Sequence, residues 1–207
     1  MENPSELLKT ALGETETARA SSGRIRADLS DFENGDFDRG ASKARELAWI
    51  AARSLFFERG PIPLDALRLG ILSRFGAQMG AGSICRRGFR VTFPWKLEVG
   101  SHCWLGEDAW LLNLAPIRIG NSVCISQRAF LCAGNHDWSH HALPLVTAPI
   151  TVHDGAWIGA SAFVGPGVTI GDHCVVTAGS VVTGDLPPYT ICSGNPCRPV
   201  KERKILR

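Results

Sequence analysis

Three of the six histidines in this 207-residue sequence, His136, His140 and His141, fall in one stretch, HDWSHHALPLVTAP. A histidine imidazole exchanges its proton near neutrality, which suits it to general acid–base work at pH 7, and its nitrogens also ligate zinc. His136 stands in CAGNHDW, where Asn135 or Asp137 is placed to orient the ring. Cys132, four residues upstream, would be a second candidate nucleophile, but it sits beside Leu131 in an apolar run, where a buried thiol is unreactive. Near the other end Arg198, Lys201, Arg203 and Lys204 form a basic cluster. Such a cluster reads either as a solvated face or as a grip on phosphates.

What must position these residues is a repeat. An aliphatic side chain recurs every six positions at Val99, Leu105 and Leu111, and again at Ile119, Ile125 and Leu131 after a two-residue slip containing Pro116 and Ile117. The longest set is Val152, Ile158, Val164, Ile170, Val176 and Val182. Gly follows the aliphatic at 100, 106, 120, 159, 165 and 171, and a small or medium residue stands four after it, as at Cys103, Ala109, Ala129, Ala162 and Cys174. A period of six fits neither a helix at 3.6 nor a half-buried strand at two. It fits a triangular coil in which each hexad is a short strand and a turn, the aliphatic fills a corner, the small residue lies inward, and Gly allows backbone conformations that a Cβ would hinder. The expectation is all-β: a parallel β-helix over residues 75–187, broken by a loop at 137–149 where the pattern fails, with a smaller irregularity from Arg87 to Trp95.

The ends read differently. Residues 1–40 are expected to be a poorly ordered acidic arm docking through Phe32 and Phe37. Ser42 is the N-cap of a helix to about Glu58 whose apolar face is Leu47, Ile50, Ala51, Ser54 and Leu55, widened by Trp49, Phe56 and Phe57. A second helix from Leu64 to Arg74 completes a cap over 41–74, expected to cover the first coil, with membrane contact the less common arrangement. Residues 188–207 read as a crossing loop and basic tail.

A net charge of +2 does not call for nucleic acid as a partner. MENPSELLKT lacks the features of a secretory signal, and no apolar run is long enough to cross a bilayer, so a cytoplasmic location is expected. Seven cysteines without a CxxC pair read as buried free thiols.

The stretches FGAQMG, PWKLEVGSHCWLGEDAWLLNLAPIRIG, CAGNHDWS, GAWIGASAFVGPGVTIGD, AGSVVTGDLPPYT and GNPCRPVKER, within residues 40–203, resemble the hexapeptide-repeat acetyltransferases. The likeness is to the branch of galactoside, maltose, nodulation-factor and colanic acid acetyltransferases. The resemblance implies a left-handed parallel β-helix, a homotrimer with active sites between neighbouring prisms, acetyl-CoA as donor, no metal, and a glycan hydroxyl as acceptor. It implies His136 as the catalytic base. It also implies Trp157, Gly159, Ala160 and Ala178 along the pantetheine arm, Thr183, Arg198 and Lys201 toward the nucleotide, and Asn113, Asp137 and Trp138 toward the acceptor. Gly184 stands where galactoside-type members carry lysine, and Lys201 where they carry arginine, so the hold on the phosphates differs in detail.

Two rival readings use the same coils. Trimeric β-helix carbonic anhydrases gather zinc from three histidines; here His136 and His141 would need a third from His102, His140, His153 or His173, none in a matching motif. A non-catalytic trimeric scaffold is the other, and the loop histidine with the basic tail speaks against it.

Overall fold

The computed structural model describes residues 25–33, 37–58 and 65–206, so most of the arm expected over residues 1–40 lies outside it. Contacts divide the chain into two compact units, one of Gly35–His136 with Leu145–Arg207 and the other of the residues up to Asn34 with Asp137–Pro144.

The larger unit is the expected β-helix of stacked parallel coils. One face, A, is a five-stranded sheet of Gln78–Met79, Leu97–Val99, Ile117–Ile119, Ile150–Val152 and Thr169–Ile170. Face B holds Ile84–Cys85, Trp104–Leu105, Cys124–Ile125, Trp157–Ile158 and Val175–Val176, and is completed by Thr190–Gly194 and Cys197–Glu202. Face C holds Arg90–Val91, Trp110–Leu112, Phe130–Cys132, Phe163–Val164 and Val181–Val182. The hexad aliphatics stack in ladders, as Leu105 on Ile125 on Ile158 on Val176, and all are buried. The small residues four positions on are buried as well, from Cys103 and Ala109 to Cys174 and Ser180.

At Gly159 the cause of the glycine differs from the one expected. A Cβ on Gly159 would lie 2.5 Å from the backbone nitrogen of Ala178, so the residue is small because the next coil's backbone runs against it. The left-handed turn conformation falls two residues later instead, at Ser161, His173, Asp108 and Arg128 among others, each with φ between 50° and 60°. These corners thus tolerate side chains that the position of Gly159 excludes.

Every step from face A to B, and from B to C, keeps the six-residue spacing. Only the corner from C to A departs from it. Val91 to Val99 and Leu111 to Ile119 take two extra residues, Leu131 to Val152 takes a hairpin, and Val164 to Ile170 returns to six.

Helix α1 (Lys43–Arg53) starts on Ser42, whose Oγ accepts from the Arg45 N–H, and runs on as a π-helical turn, Ser54–Glu58. Helix α2 spans Asp65–Arg74. Together they cover the first coil: the Trp49 indole N–H donates to Val91 O (3.1 Å), the Gly88 N–H to Phe57 O (2.8 Å), and the buried Arg68 to Phe56 O and Cys85 O. The side of α1 turned inward is the widening edge of the expected face and not its centre. Trp49, Ala52, Phe56 and Phe57 pack on the core, while Leu47, Ile50, Ala51 and Leu55 are exposed. The physical reason is size: the indole, with Phe57 and Phe75 at 5.5 and 5.3 Å, fills the open end of the prism as short aliphatics cannot. Phe37 packs on Phe93 (6.3 Å). Residues 190–202 are not a crossing loop but an antiparallel hairpin that extends face B.

The smaller unit joins two short pieces. Leu29–Asp31 forms a 3-10 turn capped by Asp28, the Asp28 N–H donates to His141 O (2.9 Å), and the His141 ring meets the Asp31 carboxylate at 3.2 Å.

Candidate active site

His136 ends the strand Gly134–His136, which pairs antiparallel with Leu145–Thr147, His136 opposite Leu145. This hairpin begins where face C ends. Its base is fixed by the Ala133 N–H to Leu112 O, by the Ala148 N–H to Ala133 O and by the Cys132 thiol donating to Gly134 O (3.0 Å). A Cβ on Gly134 would meet the Leu114 methyl at 2.7 Å, so any larger residue there would displace that side chain. The result is an exposed imidazole on a strand rather than on a loose loop. The His136 N–H donates to Asn135 Oδ1 (2.8 Å), so the Asn135 side chain serves the main chain.

Within the smaller unit Asp137 accepts from both the N–H and the hydroxyl of Ser139, which hold its carboxyl below the usual carboxylate range. Its own N–H closes the loop on Pro144 O (3.0 Å). Trp138 is exposed, and the His140 and His141 rings lie 4.6 Å apart.

The residues expected along the coenzyme fall on neighbouring rungs. Trp157 projects from face B with its indole N–H on Ser126 Oγ (2.8 Å). Gly159 and Ala160 follow it around the B–C corner, and Ala178 occupies the same corner one coil on, where the Gly179 N–H donates to Ala160 O. Thr183 is exposed just past face C. Arg198 and Lys201 are exposed on the last strand, opposite Ser193 and Ile191. The basic cluster does not act as one: Arg203 turns inward and donates to Gly155 O and His173 O, bracing a corner.

Asn113 requires a correction. It is fully buried, its Oδ1 accepts from the N–H groups of Thr92 and Phe93, and its Nδ2 donates to Phe93 O (2.6 Å). The amide clamps the two-residue insertions of neighbouring coils and has no surface left for a ligand. Trp95 likewise serves the framework, donating to Arg39 O, whereas Trp104 is exposed on face B and Trp110 stacks on Phe130 at 4.7 Å on face C. All seven cysteines are free, and burial pushes Cys174 up to about 12. Among the described residues of one chain no three His, Cys, Asp or Glu side chains are grouped to hold a metal ion.

Ser126, which accepts from the Trp157 indole, is a partner that sequence reasoning missed. Its signal was register: Trp157 stacks on Cys124, and Ser126 lies two residues further along that rung.

The model for the bacterial transferase hexapeptide (six repeats) matches residues 149–184. WcaF of Escherichia coli (strain K12), which carries the name of a colanic acid biosynthesis acetyltransferase, is 37% identical over 176 residues, 85% of this chain and 97% of that protein. Galactoside O-acetyltransferase of the same organism is 34% identical over 110 residues, 51% of this chain and 54% of its own length. Among solved structures, the hexapeptide-repeat acetyltransferase VCA0836 of Vibrio cholerae O1 biovar eltor, complexed with acetyl coenzyme A, superposes with a TM-score of 0.74 at 26% identity, covering 83% of this chain and 95% of that one. Coil ladder, inserted hairpin and relatedness over nearly a whole homologue agree, and the chain belongs to the hexapeptide-repeat acetyltransferases.

Proposed function

We propose that the protein transfers the acetyl group of acetyl-CoA to a sugar hydroxyl in exopolysaccharide assembly, with His136 as general base. The observation that carries this reading is the relationship to WcaF, which extends over 97% of that protein. The acetyl coenzyme A complex of the Vibrio neighbour supports the donor, and the name of the galactoside O-acetyltransferase supports the acceptor class.

The chemistry asks little of the protein. A sugar hydroxyl is a poor nucleophile at neutral pH, so its proton passes to the imidazole as its oxygen bonds to the thioester carbon. The carbon–sulfur bond then breaks, the imidazolium returns its proton to the leaving sulfur, and CoA thiol and acetyl ester depart. Backbone N–H groups of the coil wall are suited to the transient oxyanion. Trp157, Gly159, Ala160 and Ala178 would line the pantetheine arm, where small residues leave a shallow track beside an exposed indole. Thr183 and the exposed cations Arg198 and Lys201 would meet the nucleotide and its phosphates. Asp137 and Trp138 would contact the acceptor. The assembly we expect is a homotrimer, for which the outward row Trp110, Phe130 and Phe163 on face C supplies apolar area.

The test is release of CoA thiol from acetyl-CoA against three acceptors: a lipid-linked repeat unit, a nucleotide sugar and a free glycan. Acceptor-dependent release with one of them is the expected result. Release with none, in a protein that still binds acetyl-CoA by calorimetry, rejects the acceptor class.

A further inference from the structure

The exposed face of α1 is the surface that the fold leaves unexplained. Ala44, Leu47, Ala48, Ile50, Ala51 and Leu55 are all exposed, with Leu47 at 67%, Leu55 at 61% and Ile50 at 49%. The opposite side of the same helix carries Trp49 into the core. A surface helix ordinarily turns its polar side to water; this one is apolar on both sides. The charges around it are one-sided. Over residues 43–58 and 65–74 there are five basic and three acidic side chains. Each of the three acidic ones is already taken: Glu46 by Arg39 (2.7 Å), Glu58 by Arg53 (3.2 Å), and Asp65 by Arg68 and Arg86. Lys43 and Arg74 have no carboxylate within ion-pair distance among the described residues, whereas Arg45 is held by Phe75 O (2.7 Å) and the Trp95 ring; Arg45 and Arg74 flank a shallow hollow floored by Ala48 and Phe75.

We infer that this face of α1 docks on an anionic lipid surface, with Leu47, Ile50 and Leu55 entering the interfacial layer and Lys43 and Arg74 meeting lipid phosphates. Apolar residues on one exposed helical face with cations beside them are what interfacial helices present to a bilayer, and a charge excess of this sign selects anionic headgroups. No helix among the described residues is long and apolar enough to cross a membrane, so the contact is peripheral. The inference stands apart from the acetyl-transfer reading.

The full chain is to be sedimented with vesicles of phosphatidylglycerol and phosphatidylcholine, and with phosphatidylcholine alone. Binding to the anionic vesicles that weakens as salt is raised is expected, with little on the neutral ones. Leu47→Glu with Ile50→Glu should lower binding by at least roughly tenfold while the melting temperature and CoA thiol release are kept. Lys43→Glu with Arg74→Glu, both at exposed positions, should lower binding chiefly at low salt and serves should the first variant not fold. A wild-type chain that does not sediment overturns the inference, as does binding unchanged in both variants. Light scattering decides the remaining outcome: a smaller assembly mass in the Leu47→Glu, Ile50→Glu protein would give this face to a second copy of the chain and overturn the lipid surface.

Discussion

The coils over residues 150–184 and the C-to-A corner of the coils before them obey different rules. In the first, aliphatics recur at six without interruption, Ile158 and Val176 stack at an interval of 18, and this is the stretch that the family model matches. In the second, Cys85, Leu105 and Ile125 stack at intervals of 20, because each coil carries two extra residues at one corner, and the same corner later opens into the hairpin that bears His136. A strand in a parallel stack has its backbone groups committed to the coils above and below it, so an inserted residue there would unpair a rung. A corner has no such commitment. The chain therefore keeps its ladder uniform and places its variation, and its histidine, where the ladder is not disturbed.

The largest test of that division is His136→Ala. Removal of the proposed general base should lower kcat by about 10²–10⁴-fold. Because the side chain is exposed at a strand end, the melting temperature should hardly move, and calorimetric binding of acetyl-CoA should persist. A large loss of stability would mean that the corner carries the fold as well as the chemistry. The converse belongs to the ladder. Ile158 is fully buried between Ile125 and Val176, so Ile158→Ala should cost about 2–5 kcal/mol in urea unfolding through lost burial and a residual cavity, with His136 untouched.

These two rules also explain what could be read in the sequence. The hexad is legible because burial of Val99, Ile125 or Val164 is fixed by position in the coil alone, and the gap between Leu131 and Val152 is legible as its failure. Ser42 reads as a cap because a hydroxyl before a helix has one obvious donor to satisfy. Where a residue's neighbour comes from another coil, local spacing is silent. Gly159 looks like a turn residue until the Ala178 backbone is seen beside it, and Arg203 looks like part of a phosphate grip until it is found bracing Gly155 and His173. Helix α1 misleads for a related reason: Leu47, Ile50 and Leu55 form the tidier apolar face, but the shape of the space over the first coil selects Trp49 and Phe57.

Asn113 sharpens the comparison from the side of stability. Its amide satisfies the N–H groups of Thr92 and Phe93 across two coils that both carry the two-residue insertion. Replacing it with leucine leaves the Phe93 N–H buried without its acceptor, while the Thr92 N–H keeps Leu111 O, and this should cost about 1–3 kcal/mol in urea unfolding. If acetyl transfer at low temperature survives, Asn113 belongs to the corner's architecture. A selective rise in acceptor KM at unchanged stability would return it to the substrate site.

The smallest effect should come from Asp31→Ala, which removes the carboxylate facing His141 at 3.2 Å. Both side chains are well exposed, and exposed pairs contribute about 0–1 kcal/mol. The neighbouring link does not depend on either side chain, since the Asp28 N–H donates to the His141 carbonyl. Thermal unfolding of Asp31→Ala should therefore lie within about 2 °C of the wild type, a shift that corresponds to about 0.5–1 kcal/mol for a chain of this size. Turnover should follow stability and stay near the wild-type value. A variant with unchanged melting but a raised acceptor KM would contradict that expectation: it would show that the loop Asp137–Pro144 takes its working shape from the ion pair rather than from its main-chain bonds.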